Sequence, residues 1–168
     1  MNNYKEIVTK AIIGKLKKNS IDNISFNIDD KPDTILGCWI INHNFNGILN
    51  NKDVLVNGKY DINVWYSYDN NTKTNVAKYT YNYNDILNIN INDNIESSDV
   101  KVRSLTNPVV NDAKIEDNTI KLEVSKELAT EVIADTTIKV PIESTTDDYI
   151  EIKEDIKDEE INTNYLDK

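Results

Sequence analysis

The sequence contains only one cysteine, Cys38, and one histidine, His43, among its 168 residues. A single cysteine cannot build an intrachain disulfide framework, so the fold has to be stable without covalent crosslinks. Zinc and iron sites need several cysteine or histidine ligands at set spacings, and a nucleophilic triad needs a positioned histidine. We therefore expect no catalytic residue, no metal site and no Cys–His pair, because five positions along a regular strand place the two side chains on opposite faces.

Each of these two residues has a simple structural interpretation. We interpret Cys38 as a small core residue, with an intermolecular crosslink in an assembly as the alternative. We interpret His43 as a surface histidine or as one that is hydrogen-bonded in a loop.

Glycine and long apolar runs are also scarce. The four glycines, Gly14, Gly37, Gly47 and Gly58, lie far apart. This spacing excludes a glycine-rich phosphate loop, and we expect no cofactor. No apolar stretch approaches the length of a membrane span, and the first 18 residues lack the apolar run and cleavage site of a secretory signal. We expect no transmembrane segment and a protein that is made and used inside a cell.

Positive charge is outweighed by negative charge, and the excess is concentrated at one end of the chain. The net charge is −10 and the pI is near 4.6, which opposes nucleic-acid binding because phosphate contacts need clustered lysine and arginine. Residues 143–168 hold ten acidic and three basic residues, so they account for most of this charge. We place a domain boundary near Ile142.

Residues 143–168 have too few apolar side chains to offset the entropy of ordering them alone, and we predict a disordered acidic tail. The tail is either a solubilising segment or an interaction segment that folds onto a partner. It lacks the glycine-turned loop of a calcium hand, so we expect no defined metal site there and only weak, diffuse calcium affinity. The candidate partner-recruiting residues of the tail are Tyr149, Ile152, Ile156, Glu159 and Glu160.

The remaining residues, 1–142, are dominated by alternating patterns that are typical of strands. In Lys59–Tyr68, the residues Tyr60, Ile62, Val64 and Tyr66 alternate with polar residues and Trp65, which predicts a half-buried strand. Turn residues follow at 69–71, and residues 76–83 resume the alternation, so the two segments predict a hairpin. Further strands are predicted near residues 87–91, 100–102, 120–124 and 138–142, with Pro141 at an edge or a strand end.

Two segments allow either strand or helix. Residues 6–17 have β-branched side chains and also helical spacing, and residues 128–134 are too short to decide. We favour strands for both. Short strands between turn signals, without long amphipathic helices, predict an all-β, β-sandwich-like single domain over residues 1–142.

The carboxylates of residues 1–142 do not single out a catalytic pair. A glycosidase needs two carboxylates that flank one bond, whereas Asp61, Asp85 and the others are interpreted as strand-exterior or turn residues. We therefore expect that the protein is not an enzyme.

Two segments carry a specific resemblance to a known family. Residues 35–43 (ILGCWIINH) and 60–68 (YDINVWYSY), followed by 71–74 (NTKT), closely resemble the outer spore-coat morphogenetic protein CotE family. Residues 4–11 are similar to the family's opening, and a weaker similarity continues through Pro108 and residues 129–140. The sequence departs from the family in having Cys38 where glycine is expected and in a shorter, less acidic tail.

The resemblance implies a structural protein of the mother-cell cytoplasm that is assembled into the spore coat. Members of the family form large homo-oligomers around the developing spore, bridge a basal coat layer to outer-coat proteins and have no enzymatic role. By this resemblance, residues 1–142 would be a self-assembling coat domain and residues 143–168 an interaction tail.

Two functions follow from these observations. In the first, a structural assembly hub, the candidate interface residues are Trp39, Trp65, Tyr66 and Tyr68, because tryptophan and tyrosine concentrate interface energy. The same side chains can instead pack the core of any sandwich. In the alternative function, a glycan-binding β-sandwich module, Trp65, Tyr66 and Tyr68 would form an aromatic platform over a sugar.

Overall fold

A computed structural model describes residues 3–91 and 98–142, and every element in these ranges is a β-strand. The strands are β1 (Tyr4–Asn27), β2 (Pro32–Asn50), β3 (Asp53–Tyr68), β4 (Lys73–Asn88), β5 (Ser98–Glu116) and β6 (Thr119–Pro141). The all-β prediction is confirmed. Residues 6–17 and 128–134 lie within β1 and β6, so the preference for strand over helix is also confirmed.

The strands are far longer than the short strands that the sequence predicted. They contain 16 to 24 residues, whereas strands of about five or six residues are the most common. Interruptions of the alternation within β2 and β5 are β-bulges rather than strand ends. Pro108, for example, lies within β5 at a register shift between Thr106 and Val109, where a missing N–H donor is tolerated.

Asparagine and aspartate form the tight turns between the strands. Asn51, Asp69, Asn70, Asn71 and Asp117 all have φ angles between 52° and 60°. These residue types tolerate the left-handed region because their short side chains bond to the local backbone. The turn predicted at residues 69–71 is confirmed, and a further turn lies at residues 117–118.

The six strands form two three-stranded sheets. Sheet A has the order β1-β6-β5, and sheet B has the order β2-β3-β4. The described residues from 9 to 136 form one compact unit, and residues 3–8 with 137–142 belong to another, in which the Ile142 N–H donates to the Asn3 carbonyl at 2.9 Å.

Within the unit 9–136, both sheets contribute to one apolar core. The central strands β3 and β6 supply most of it, with fully buried residues that recur at every second position. The main core residues are Val54, Val56, Tyr60, Ile62 and Val64 from β3, Ile120, Leu122, Val124, Leu128 and Val132 from β6, and Ile24 and Phe26 from β1. The β-sandwich-like prediction is therefore confirmed.

A bulge in β2 changes which side chains face this core. The register shifts by one residue between Ile41 and Asn44, and Asn42 there has a φ of 56°. Because the extra residue reverses the alternation, Cys38 before the bulge and His43 after it both face inward. The prediction that these two side chains lie on opposite faces is wrong for this reason.

Candidate functional site

The outer face of sheet B exposes two tryptophans side by side. Trp65 is paired in register with Gly37 on β2 and Val76 on β4, and Trp39 is paired with Asn63. Both indoles are 43% exposed, and they flank Gly37, where an added Cβ would lie 4.0 Å from each ring. Together with the exposed Ile41 and Val76, they form an apolar surface that we call the tryptophan patch (Trp39, Ile41, Trp65, Val76).

A second apolar row crosses the same face toward the other end of the strands. Ile48, Leu55 and Ile86 are paired in register across β2, β3 and β4, and both isoleucines are more than half exposed. We call these three residues the isoleucine row. Single exposed apolar residues are common on protein surfaces, but apolar surface that continues across neighbouring strands marks an interaction site.

Polar residues fill the space between the patch and the row. The registered rows are Asn46–Asn57–Asn84 and Asn44–Lys59–Asn82, and all of these residues except Asn84 line a shallow groove. Between the two apolar ends, the charged side chains on this face of the described structure are Lys59, Asp61 and Lys78.

The Asp61 carboxylate is held in place by its neighbours on the outer face of sheet B. It accepts hydrogen bonds from Thr80 Oγ1 at 2.6 Å and from Asn42 Nδ2 at 2.8 Å. The bond from Thr80 and then the bond from Asn42 lower the pKa of Asp61 below its ordinary value. The carboxylate is therefore a fixed negative charge at neutral pH.

The outer face of sheet A has the opposite character. It carries acidic and basic side chains that pair with one another, including Arg103 with Glu131 at 3.1 Å and Lys114 with Asp112 at 3.2 Å. Lys121 also pairs with Glu116. The two outer faces thus differ: paired charges dominate that of sheet A, although Ile21 and Val109 are also exposed, and apolar and amide side chains dominate that of sheet B.

The two predicted tyrosines face the opposite way from the tryptophans. Tyr66 is 2% exposed, and its hydroxyl donates to Asp30 Oδ2 at 2.7 Å; burial and Asp30 raise its pKa to about 12. Tyr68 lies on the same inner face, with ring centroids 6.1 Å apart. Because successive strand residues point to opposite faces, Trp65 cannot share a platform with Tyr66 and Tyr68. The predicted glycan-binding platform is therefore wrong, because its three side chains do not lie on one face.

Cys38 is half-buried and packs against the core, as its interpretation as a core residue requires. Burial raises the pKa of its thiol, which makes the reactive thiolate rarer at neutral pH. A crosslink between copies stays a prediction.

A buried ionic cluster is the main feature that the sequence analysis missed. Lys126 has a fully buried side chain, and its ammonium lies 2.7 Å from Asp22 Oδ2 and 3.5 Å from Asp85 Oδ2. The Tyr60 hydroxyl also donates to Asp22 Oδ2, at 2.7 Å, and the Lys126 ammonium lies 3.9 Å from the centroid of the Tyr83 ring. One lysine on β6 thereby connects β1, β3 and β4, so it joins sheet A to sheet B.

His43 extends the cluster at its edge. Its Nε2 lies 2.7 Å from the Tyr83 hydroxyl, while its buried Nδ1 has no hydrogen-bond partner among the described residues. Burial, followed by the positive charge of Lys126, lowers the pKa of His43, so the ring is neutral at pH 7. The expected hydrogen bond is present, but the residue lies in a strand rather than a loop.

The strand alternation could have revealed this cluster from the sequence. Lys126 continues the inward series Ile120, Leu122 and Val124, and Asp22 precedes Ile24 at the same two-residue spacing. Asp85, which we interpreted as a strand-exterior residue, instead faces inward between Tyr83 and Leu87. That interpretation is wrong because the alternation of β4 outweighs the preference of a carboxylate for solvent when a lysine is opposite.

The described residues include no group of three or more histidine, cysteine, aspartate or glutamate side chains that could hold a metal ion. Searching the same residues finds no helix with the length and apolar character to cross a membrane. The predicted tail residues Tyr149, Ile152, Ile156, Glu159 and Glu160 lie outside the described ranges, as does the predicted disorder of 143–168.

Comparison with known proteins gives one match. The sequence model of a family described as outer spore coat protein E (CotE) matches residues 3–168. No curated protein and no solved structure matches the chain.

Proposed function

Because the chain belongs to the outer spore coat protein E (CotE) family, we propose that it is a structural morphogenetic protein of the bacterial spore coat that self-assembles into large homo-oligomers. Residues 1–142 provide the self-assembling part in this proposal, and residues 143–168 recruit outer-coat proteins. The protein is made in the mother-cell cytoplasm and then built into the coat. The proposal includes no enzymatic role, cofactor or metal.

The observation that carries the proposal is the exposed pair Trp39 and Trp65 on the outer face of sheet B. Burying a large aromatic side chain removes much apolar surface from water, and tryptophan is enriched among the residues that dominate binding energy. The centre of an interface is also depleted in charge. The outer face of sheet B meets both criteria, and the ion-paired face of sheet A meets neither.

Tyr66 and Tyr68 have a supporting part in this proposal. Both lie on the inner face of β3, and Tyr66 is anchored to Asp30. They therefore stiffen the strand that presents Trp65, and the contacts between copies are assigned to the tryptophan patch.

The tryptophan patch predicts the effect of removing both indoles. We expect the full-length protein to form a high-mass species, and the double variant Trp39→Ser/Trp65→Ser to shift it to small oligomers or monomer. A residue of this class at the centre of an interface contributes about 2 kcal/mol or more, which is roughly a 30-fold loss of affinity. Size-exclusion chromatography with light scattering gives the mass of each species.

Ile21→Ser is the matched control, because Ile21 is an exposed apolar residue on β1 of sheet A. It should leave the mass unchanged. If the wild-type chain is a stable monomer, or if Ile21→Ser dissociates the oligomer as strongly as the double tryptophan variant, the proposed function or its assignment to sheet B is wrong.

A further inference from the structure

The outward-facing residues of β3 have a self-complementary order. Between positions 65 and 55 they are Trp65, Asn63, Asp61, Lys59, Asn57 and Leu55, and Ser67 and Asp53 follow at the two ends of the strand. The order reads apolar, amide, acid, base, amide, apolar, and its midpoint is Tyr60. Except for the two charges, which are of opposite sign, the pattern is the same in both directions.

The neighbouring strands extend this order across sheet B. At one end Trp65 is paired with Val76, and at the other end Leu55 is paired with Ile48 and Ile86. The row next to Leu55 consists of three asparagines, Asn46, Asn57 and Asn84. The row next to Trp65 consists of Trp39, Asn63 and Lys78, so the self-complementary order is found along β3 and in the two apolar end rows.

We propose that two copies of the chain pair through these faces around a two-fold axis that lies between the sheets and perpendicular to the strands, with Asp61 of each copy opposite Lys59 of the other. This inference rests on the proposed function and gives the geometry of its first contact. Strand β3 then crosses β3 of the second copy in the reverse direction, so position 65 lies over position 55 and position 63 over position 57.

In this arrangement each apolar end meets an apolar end. Trp65 covers Leu55 of the second copy, Val76 covers Ile86, and Gly37, which has no side chain, lies over Ile48. Two members of the tryptophan patch, Trp65 and Val76, thus face the isoleucine row, whereas Trp39 lies over Asn46 and Ile41 over Asn44. In an isologous contact of this kind, the two-fold axis repeats each contact, so both apolar ends are buried on both copies.

The charges decide between the two ways of stacking the face on itself. An axis parallel to the strands would place Lys59 over Lys59 and Asp61 over Asp61, and like charges that face each other are repulsive. The perpendicular axis gives two opposite-charge pairs instead. Thr80 and Asn42 hold Asp61 in position, and no carboxylate of the described residues lies within ion-pair distance of Lys59 in its own chain.

The size of the face makes this contact weak when it acts alone. Three strands at a spacing of about 4.8 Å and ten residues at about 3.4 Å each cover roughly 500 Å², compared with about 800 Å² per partner in a standard interface. A weak pairwise contact suits a large assembly, because the strength of the assembly comes from repetition.

A charge reversal tests the pairing. In full-length protein at low salt, Lys59→Asp and Asp61→Lys should each weaken self-association about tenfold or more, because each places like charges on both sides of the axis. The double variant Lys59→Asp/Asp61→Lys should restore association to within a few-fold of wild type, since both pairs are reversed together. Sedimentation velocity measures the association, and circular dichroism checks that each variant is folded.

The outcomes separate this inference from the proposed function. A wild-type chain that never associates contradicts both. If the tryptophan variant dissociates the oligomer but the double charge variant is as weak as the single ones, only the two-fold pairing is overturned, and the face binds another part of this chain or another coat protein.

A second measurement needs no substitution. Isotopically heavy and light chains are mixed and treated with a zero-length carbodiimide, which joins carboxylates to amines. We expect linked Asp61–Lys59 peptides with one heavy and one light member, which only contact between copies produces. If all linked Asp61–Lys59 peptides are entirely heavy or entirely light, the links form within one chain and the pairing is contradicted.

Discussion

At the scale of single residues, the least expected feature is a lysine at the centre of an apolar core. A charge buried without a partner is very unfavourable, and Lys126 is retained because Asp22 and Asp85 neutralise it and the Tyr83 ring lies against it. These contacts satisfy the ammonium from β1 and β4 at once. We infer that Lys126 sets how the two sheets align, because any other alignment would leave a charge unpaired.

Replacing Lys126 should therefore destabilise the fold strongly, and a second substitution should restore part of the lost stability. Lys126→Met leaves Asp22 buried without its cation, and we expect the free energy of unfolding to fall by about 3–5 kcal/mol. The double variant Asp22→Asn/Lys126→Met removes both charges and should be more stable than Lys126→Met alone. Urea denaturation of the full-length variants measures both values.

Lys121→Met is the control for that experiment. Lys121 lies on the same strand but is exposed, with its partner Glu116 also exposed, so its loss should change the free energy of unfolding by less than about 1 kcal/mol. Equal effects at positions 121 and 126 would mean that the buried cluster contributes nothing specific to stability.

At the scale of strands, the close crossing of β2 and β5 depends on Gly47. A Cβ added at Gly47 would lie 2.5 Å from Val102 Cγ2 and 2.9 Å from Val100 Cγ1. The absence of a side chain lets the edge of sheet B approach sheet A at this point. By contrast, Gly37 on the same strand has open space toward the indoles, because the nearest atoms to its added Cβ are 4.0 Å away.

This contrast predicts different effects for two identical substitutions. Gly47→Ala should lower the free energy of unfolding by about 1–3 kcal/mol, since the valines of β5 have to move to accommodate a methyl group. Gly37→Ala should have little effect on stability. Thermal unfolding compares the two variants, and a Gly47→Ala protein as stable as Gly37→Ala would show that the crossing tolerates a wider spacing.

At the scale of the molecule, the proposed function assigns different roles to different parts of the chain. The outer face of sheet B is assigned to contact between copies, and residues 143–168 are assigned to the capture of other coat proteins. The tail carries ten acidic residues along with Tyr149, Ile152 and Ile156. Repeated on every copy, even weak tail contacts gain strength from the size of the oligomer.

Deleting residues 143–168 should separate these two roles. We expect the truncated chain to form oligomers of the same kind as the full-length chain but to lose the capture of outer-coat proteins. Light scattering gives the mass, and co-sedimentation with a purified outer-coat protein measures capture. Oligomers that dissolve on truncation would show that the tail takes part in assembly.

A second tail variant distinguishes a recruiting tail from a solubilising one. Replacing Tyr149, Ile152 and Ile156 with serine keeps every charge and removes apolar side chains that can fold onto a partner. The recruiting role predicts that capture is lost while solubility is kept. If capture survives in this variant, the apolar residues are not the recruiting elements.

Much of this protein follows from its sequence alone, because strand alternation and turn chemistry are local. The inward series Tyr60, Ile62, Val64 and Tyr66, the turn at 69–71 and the strand end at Pro141 were all predicted correctly. The family was also recognisable, since the sequences around Cys38 and Trp65 closely resemble those of its members. Local patterns of this kind do not depend on which strands later become neighbours.

The tertiary structure decided what depends on pairing between distant strands. The bulge beside Asn42 turned His43 to the same face as Cys38, and only the registered partners on β3 reveal that a residue is extra. Asp85 was interpreted as a strand-exterior residue, and only the fold shows that it lies 3.5 Å from Lys126, 41 positions away in the chain. The outer face of sheet B likewise exists only when β2, β3 and β4 lie in register, because long-range pairing places Trp39 beside Trp65 and Leu55 between two isoleucines.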